Sequence, residues 1–523
     1  MGKHLIALLL LGAAFAVSAD ALFSIDCDTR TLTGTEWVEG SRVVHVGTDY
    51  VVLLGNPQAF PEERTTILDA PAADLRVYRL ATLRSESGIA GLERMGEVLL
   101  HRGRTVIFRL SAPEAGAPPV VEGVHFIQPL RERRISAPVS LPGTDRGYDD
   151  AVADIVASVE EDSILAITQH LEDYQTRYSS TDNFDTACNW MESRFEAYGL
   201  AAEQQTFSMG SYDCQNVIAE QPGVEDSAKI YIICGHLDST SPYPTTDAPG
   251  ADDNGSGSTG VLEAARVMSG YDFKYTVRYI AFGGEEQGLY GSDYYAEQAS
   301  AAGDDILGVV NMDMVYYGPP GNDQLWVVYD TQSTGLGLAM DAITDTYVPA
   351  LEKDVEYNPG MTASDHASFW QEGYAALLNI EVEVYSNPYY HQTSDILDNY
   401  LEYFPFGTNC IKGAIATVAY LAEPVDQGVS GEESAETSAG GLSLGLAPNP
   451  ASESVTVSIS RTLGGPAVVE VYDLSGRCLL RQDIEGEGST AFSIGAERLP
   501  VGVHLLRVSD GERTATAKLV VTR

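Results

Sequence analysis

Basic residues are scarce in this chain, cysteines never fall at metal-knuckle spacing, and no apolar run beyond the first residues is long. Against 75 Asp and Glu stand only 31 Lys and Arg, a formal net charge of -44 over 523 residues. A surface of that sign repels nucleic acid and anionic membrane, which argues against both as partners. The acidity reads as a solubilising surface suited to a salty medium. None of the six cysteines (Cys27, Cys188, Cys214, Cys234, Cys410 and Cys478) has a C-x-x-C neighbour, so a zinc ribbon and a thioredoxin-type redox pair are excluded. No internal repeat is present. The apolar run Leu5–Val17 falls short of the roughly 20 residues a membrane span needs, and no later stretch is long enough either.

What that run does match is a secretory signal. Lys3 precedes it and small residues Ser18, Ala19 and Ala21 follow, which predicts a signal peptide over residues 1–19 with cleavage after Ala19 or Ala21. Outside the cytoplasm disulfides persist. Cys188 and Cys214, in polar surroundings, are the expected pair, whereas Cys234 inside the apolar KIYIIC is expected to be a buried thiol.

Four further segments follow. Residues 20–140 mix alternating strands such as VVHVG with helical patches such as IAGLERMGEVLL, which predicts a small α+β region, a pro-segment or accessory domain. Its end carries Arg131, Arg133 and Arg134, either a processing site or an ordinary solvated loop. From 150 to 423 helix and strand signals alternate, which calls for an α/β domain with a mostly parallel sheet covered on both faces. Residues 424–442 are too polar and small to bury a core and read as a flexible linker. Residues 443–523 hold short strands at regular spacing with Gly turns, hence an Ig-like β-sandwich.

Acids and histidines gather at the strand ends of the α/β segment. KIYIICG runs into His236 and Asp238, APGADDNGSG carries Asp252 and Asp253 before a helix, and TVRYIAFGG ends in Glu285 and Glu286. ILGVVNMDMV contains Asp313, and NPYYHQTSD holds His391. Singly each has an ordinary explanation: a surface histidine, an N-capping Asp, a turn acid. Together they stand where an open α/β sheet holds ligands, past the carboxyl ends of its strands. Two imidazoles with three carboxylates suit a borderline metal such as zinc, and the charge balance favours two ions sharing a carboxylate.

The ordered motifs GHLDS (235–239), APGADDNGSG (248–257), GGEEQGLYGS (283–292), NMDM (311–314), SDHASFW (364–370) and YHQTSD (390–395) resemble the M28 family of zinc aminopeptidases. The resemblance covers roughly residues 150–423 and implies a cofactor of two Zn²⁺ ions: His236 and Asp313 on one, Glu286 and His391 on the other, with Asp253 bridging. It implies that Glu285 is the general base acting on a metal-bridging water, and that Asp238 orients the His236 imidazole through its other nitrogen. The implied activity is secreted di-zinc aminopeptidase action on N-terminal, apolar residues of peptide substrates. A carboxypeptidase or dipeptidase of the same family is the enzymatic alternative, and a catalytically inactive surface adhesion protein the alternative of another class. The family also resembles single-zinc glutaminyl cyclases, against which the full set of five ligands speaks. The family's oxyanion-stabilising tyrosine has no counterpart at the matching place: Met361 stands there, with Tyr357 slightly earlier. Met314, Met361, Phe369 and Trp370 either line an apolar substrate pocket or belong to the core.

The tail resembles the C-terminal sorting domain of bacterial type IX secretion cargo. The matching residues are Pro448-Asn449-Pro450, the Asp473–Gly476 turn, Gly502 and Lys518, with His504 where a tyrosine is usual. That resemblance implies the secretion machinery as a partner and a secreted or cell-surface location in bacteria. The alternative is an Ig-like accessory domain that binds glycan or packs on the enzyme.

Overall fold

The computed structural model describes residues 20–32, 41–72, 74–112, 121–144, 146–425, 442–447, 454–461, 467–472, 477–484, 490–495, 498–500, 502–509 and 514–521. The expected signal peptide, most of the linker, Pro448-Asn449-Pro450 and the Asp473–Gly476 turn lie outside them. Two compact units divide the chain, Met1–Val425 and Asp426–Arg523.

An eight-stranded sheet organises the first unit. Its order from one edge is Lys353–Tyr357, Leu325–Tyr329, Ala376–Glu381, Asp305–Met312, Asp226–His236, Tyr275–Phe282, Asp213–Gln221 and Ala201–Ser208. The Asp226–His236 strand is central, parallel to Tyr275–Phe282 on one side and to Asp305–Met312 on the other, and Ala376–Glu381 runs parallel beyond. The last two strands and the Leu325–Tyr329 to Ala376–Glu381 pairing are antiparallel, so the sheet is mixed but mostly parallel.

The run KIYIIC shows why both faces are covered. Side chains alternate across a strand, and here both sets are apolar: Tyr231 and Ile233 enter one core, Ile230, Ile232 and Cys234 the other. Helices Gly255–Met268, Thr334–Tyr347 and Phe404–Ala422 pack on the first face, and Tyr290–Ala302 with His366–Glu372 on the second. Cys234 is thus the buried thiol expected of it.

The Cys188–Cys214 pair corrects an expectation. Both thiols are free and wholly buried. Polar letters around Cys188 belong to the outer face of helix Asp182–Ala197, while Cys188 shares the inner face with Phe184, Ala187, Met191 and Phe195.

The N-terminal region is nearly all β rather than α+β. It holds two four-stranded antiparallel sheets: Arg42–Val46, Tyr50–Gly55, Ala21–Asp26, Thr65–Asp69, and Gly96–Arg102, Thr105–Leu110, Tyr78–Leu83, Val124–Pro129. The helical patch IAGLERMGEVLL splits, because Gly96 ends helix Ile89–Met95 in extended backbone and the chain continues as a strand. A helix of seven residues gains too little from its own hydrogen bonds to extend through a glycine into a β-favouring run.

Nor do the three arginines form an open processing loop. Arg133 is buried, donating from Nη2 to Asp330 Oδ2 at 2.6 Å and from Nη1 to the Pro359 carbonyl at 3.1 Å. Arg131 pairs with Asp293, and Arg134, itself exposed, pairs with Glu372 at 3.1 Å. Each of the three arginines is thus paired with a carboxylate. Arg133→Ala leaves Asp330 buried without its partner and is expected to cost about 3–5 kcal/mol, read as a lowered urea midpoint.

The second unit contains a three-stranded and a four-stranded antiparallel sheet. Alternate residues of both, among them Val455, Val457, Val469, Val471, Leu506 and Val508, fill one core. His504 is buried there, its Nε2 2.8 Å from the Pro500 carbonyl.

Candidate metal centre

Three adjacent parallel strands end on one rim, and each delivers a polar group there. His236 is the last residue of the central strand, Glu285 and Glu286 follow Phe282, and Asp313 follows Met312. The Gly283-Gly284 break makes the turn feasible. Gly284 has φ +72, and a Cβ on Gly283 would stand 2.6 Å from the Gln215 carbonyl oxygen. Asp253 precedes helix Gly255–Met268, whose cap Asn254 accepts from the Gly257 N–H at 2.8 Å and donates to the Met312 carbonyl at 2.9 Å. That bond ties the helix start to the end of the Asp305–Met312 strand.

All five residues expected to ligate metal come together. His236 Nε2 lies 3.4 Å from Asp253 Oδ1 and 3.4 Å from Asp313 Oδ1. His391 Nε2 lies 3.2 Å from Asp253 Oδ2 and 3.0 Å from Glu286 Oε2. The Asp253 carboxylate therefore stands between the two imidazoles, one oxygen toward each. His391 has left-handed backbone, φ +55, which costs a non-glycine residue roughly 1–3 kcal/mol and persists only where its surroundings fix it.

Asp238 departs from its expected part. The nitrogen His236 turns away from the cluster, Nδ1, is 3.0 Å from the Asp238 main-chain carbonyl, while the carboxylate is 3.7 Å off. That carbonyl can only accept, so Nδ1 carries a hydrogen and Nε2 is the nitrogen that faces the cluster. The Asp238 carboxylate accepts instead from the N–H groups of Glu285 and Glu286, both at 3.2 Å, and from Ser179 Oγ at 3.0 Å. It holds the turn on which the two glutamates stand.

Three further buried charged residues carry no periodic signal in the sequence. Asp395 accepts from the N–H groups of Asp252 and Asp253, each at 3.0 Å, and fixes the carboxylate between the imidazoles. Arg177, wholly buried, donates to the carbonyls of Leu237, Pro249 and Gly250, and burial lowers its pKa to about 10. Asp365, also buried, is pushed up to about 7, chiefly by burial. Only the quoted motif letters around Asp365 and Asp395 hinted at them. Phe369 and Trp370, with Met314 and Met361, belong to the core on the second face, which favours the plainer of their two readings.

Burial and mutual repulsion dominate the electrostatics of these carboxylates. Burial pushes the Glu285 carboxyl well above the usual carboxylate range, and Glu286 and Asp313 add to it against the pull of His236. Glu286 rises to about 7, first by burial and then by Asp253. Burial alone would depress both imidazoles, but the facing acids prevail: Glu285 and Asp313 raise His236, and Glu286 with Asp253 lifts His391 to about 10. The buried Glu286 Oε1 has no hydrogen-bond partner, and Asp253 Oδ2 and Asp313 Oδ1 have none beyond the imidazoles of His391, at 3.2 Å, and His236, at 3.4 Å. Buried acceptors facing neutralisable imidazoles fit divalent cations, and zinc in particular. Glu285 also lies in a group with His236 and Asp313 whose donor atoms are within 4.8 Å of one another, but its Oε2 is 3.8 Å from His236 Nε2, outside the 3.4 Å of the ligand pair.

A pH dependence follows. With His391 at about 10, its imidazole is protonated at pH 7, whereas a metal ligand must be neutral. Zinc binding at pH 7 is therefore expected to release protons, and affinity to climb with pH until His391 titrates. Calorimetry in buffers of different ionisation enthalpy measures the release; buffer-independent heats would contradict it.

Residues 216–403 match the family described as Peptidase family M28, and residues 446–522 the Secretion system C-terminal sorting domain. The chain carries an M28 peptidase domain. A "Probable leucine aminopeptidase" of Arthroderma otae is 29% identical to this chain over 285 residues, 52% of this chain and 76% of its own. A "Probable zinc metalloprotease" of Pyrenophora tritici-repentis is 31% identical over 189 residues, 32% of this chain and 39% of its own. The Legionella pneumophila LapA aminopeptidase structure matches with a TM-score of 0.49 at 20% identity, covering 78% of this chain and 100% of its own. The cluster from His236 to His391 lies within the M28 match, and among the described residues no helix is long and apolar enough to cross a membrane.

Proposed function

We propose that the M28 domain is an exported, zinc-dependent aminopeptidase that removes N-terminal, apolar residues from peptides. What carries the proposal is the Asp253 carboxylate standing between two imidazoles, each of which faces a further carboxylate. His236, Asp253 and Asp313 would hold one zinc ion, and Asp253, Glu286 and His391 a second. The chemistry such ions supply when bound is Lewis acidity toward a scissile carbonyl and a water whose pKa falls toward 7.

The chain's own groups do the rest. Glu285 has no imidazole within hydrogen-bonding reach, and burial raises the proton affinity of its carboxylate. Its carboxylate takes a proton from the attacking water and, as the acid, gives it to the leaving amine. Asp238, by gripping the N–H groups of Glu285 and Glu286, keeps base and ligand on one fixed turn. Burial of Glu285 and Asp313 keeps bulk water from competing for that proton. The relatives' leucine aminopeptidase names support a free-amine, apolar preference. Export is supported by the apolar leader over 1–19 and the sorting-domain match, which would address the protein to the secretion machinery.

The test is a panel of free-amine and N-blocked aminoacyl substrates given to the full chain. Cleavage of free-amine leucyl substrates, abolished by chelator and restored by zinc, is the expected result. Cleavage of N-blocked substrates alone would mean a carboxypeptidase or endopeptidase instead.

A further inference from the structure

We infer that Arg84 and His125, from the N-terminal region, are positioning residues for His391, so that this region is a lasting part of the metal centre rather than a segment to be discarded. The inference rests on the zinc reading of the cluster.

His391 reaches the rim on a loop, not from a strand end, and its backbone is left-handed. Nothing in the Ala376–Glu381 strand alone dictates that geometry. The N-terminal region grips the loop from outside. The ring of Tyr390 stacks on His391 with centroids 3.8 Å apart, and His125 packs on Tyr390 at 4.8 Å. The Tyr390 hydroxyl donates to the His125 main-chain carbonyl at 2.8 Å, so the aromatic column is also tied by a hydrogen bond. Arg84 lies over the Tyr390 ring at 5.4 Å and donates from Nε to the Tyr385 carbonyl at 2.9 Å and from Nη2 to the Asn387 carbonyl. Two guanidinium nitrogens thus satisfy two carbonyls of the turn that leads into His391. A planar fork can do this, whereas a lysine ammonium offers a single point of attachment.

If the clamp is lost, His391 is free to leave its left-handed conformation, and the ion it would share with Asp253 and Glu286 loses a ligand. The ion that His236, Asp253 and Asp313 would hold keeps all of its own ligands. The effect is therefore selective for one of two sites.

The experiment is zinc titration against a chromophoric chelator with the full-length chain, its Arg84→Ala and His125→Ala variants, and Arg84→Lys. Thermal midpoints of the metal-free proteins are measured alongside. The expected result is that Arg84→Ala and His125→Ala weaken one ion by about 10–100-fold and leave the other as it was. Arg84→Lys is expected to fall between Arg84→Ala and the unaltered chain. Both ions held as tightly in all variants as in the unaltered chain would overturn the inference. So would equal weakening of both ions together with a lowered metal-free midpoint, the mark of general destabilisation. An unaltered chain that binds no zinc would sink the metal-centre reading itself, and this inference with it.

Discussion

Glu285→Gln is expected to bind zinc as tightly as the unaltered chain and to lose about 10²–10⁴-fold in kcat. Glutamine matches glutamate in volume and keeps the N–H that Asp238 accepts at 3.2 Å, so the turn, Glu286 and the packing are unchanged. What disappears is the ability to take and return a proton. The variant also separates two roles for Glu285, because its carboxylate lies close enough to His236 and Asp313 to belong to a ligand group. As a ligand, its replacement would release an ion; as a base, it would not. Zinc content by atomic absorption and steady-state kinetics on one preparation decide between them. Retained turnover would remove Glu285 from the mechanism.

Asp253→Ala is expected to lose both ions and all zinc-dependent activity, whereas Glu286→Ala loses one. The asymmetry comes from position: Asp253 faces His236 with Oδ1 and His391 with Oδ2, while Glu286 faces only His391. A ligand that binds only the folded state stabilises it by about 4 kcal/mol at a thousandfold excess over its dissociation constant. The unaltered chain should therefore melt at higher temperature with zinc than without, and Asp253→Ala should show no such difference. A zinc-dependent shift that survives in Asp253→Ala would mean that this carboxylate is not shared.

Much of this could be read from the letters because each strand end is a local event. KIYIIC followed by Gly-His, and TVRYIAF followed by Gly-Gly-Glu-Glu, announce both a buried strand and what leaves its end. The letters mislead where burial or partners come from far away. Cys188 looks polar in sequence because its neighbours face solvent, yet it lies on the inner face of its helix. Arg133 looks like a cleavage site until Asp330, 197 residues on, claims it. The motif points to the Asp238 carboxylate as the partner of His236, but the carbonyl takes that part, a distinction no pattern of residue types encodes. Tyr390 and His125 meet across 265 residues, and only the folded chain reveals that the N-terminal region reaches the loop of His391.

The most direct measurement is anomalous diffraction at the zinc edge from crystals of the full chain grown with zinc. Two peaks are expected, about 3.5–4 Å apart, with Asp253 between them, His236 and Asp313 beside one, and Glu286 and His391 beside the other. A single peak, or peaks away from Asp253, would contradict a shared-carboxylate pair of ions.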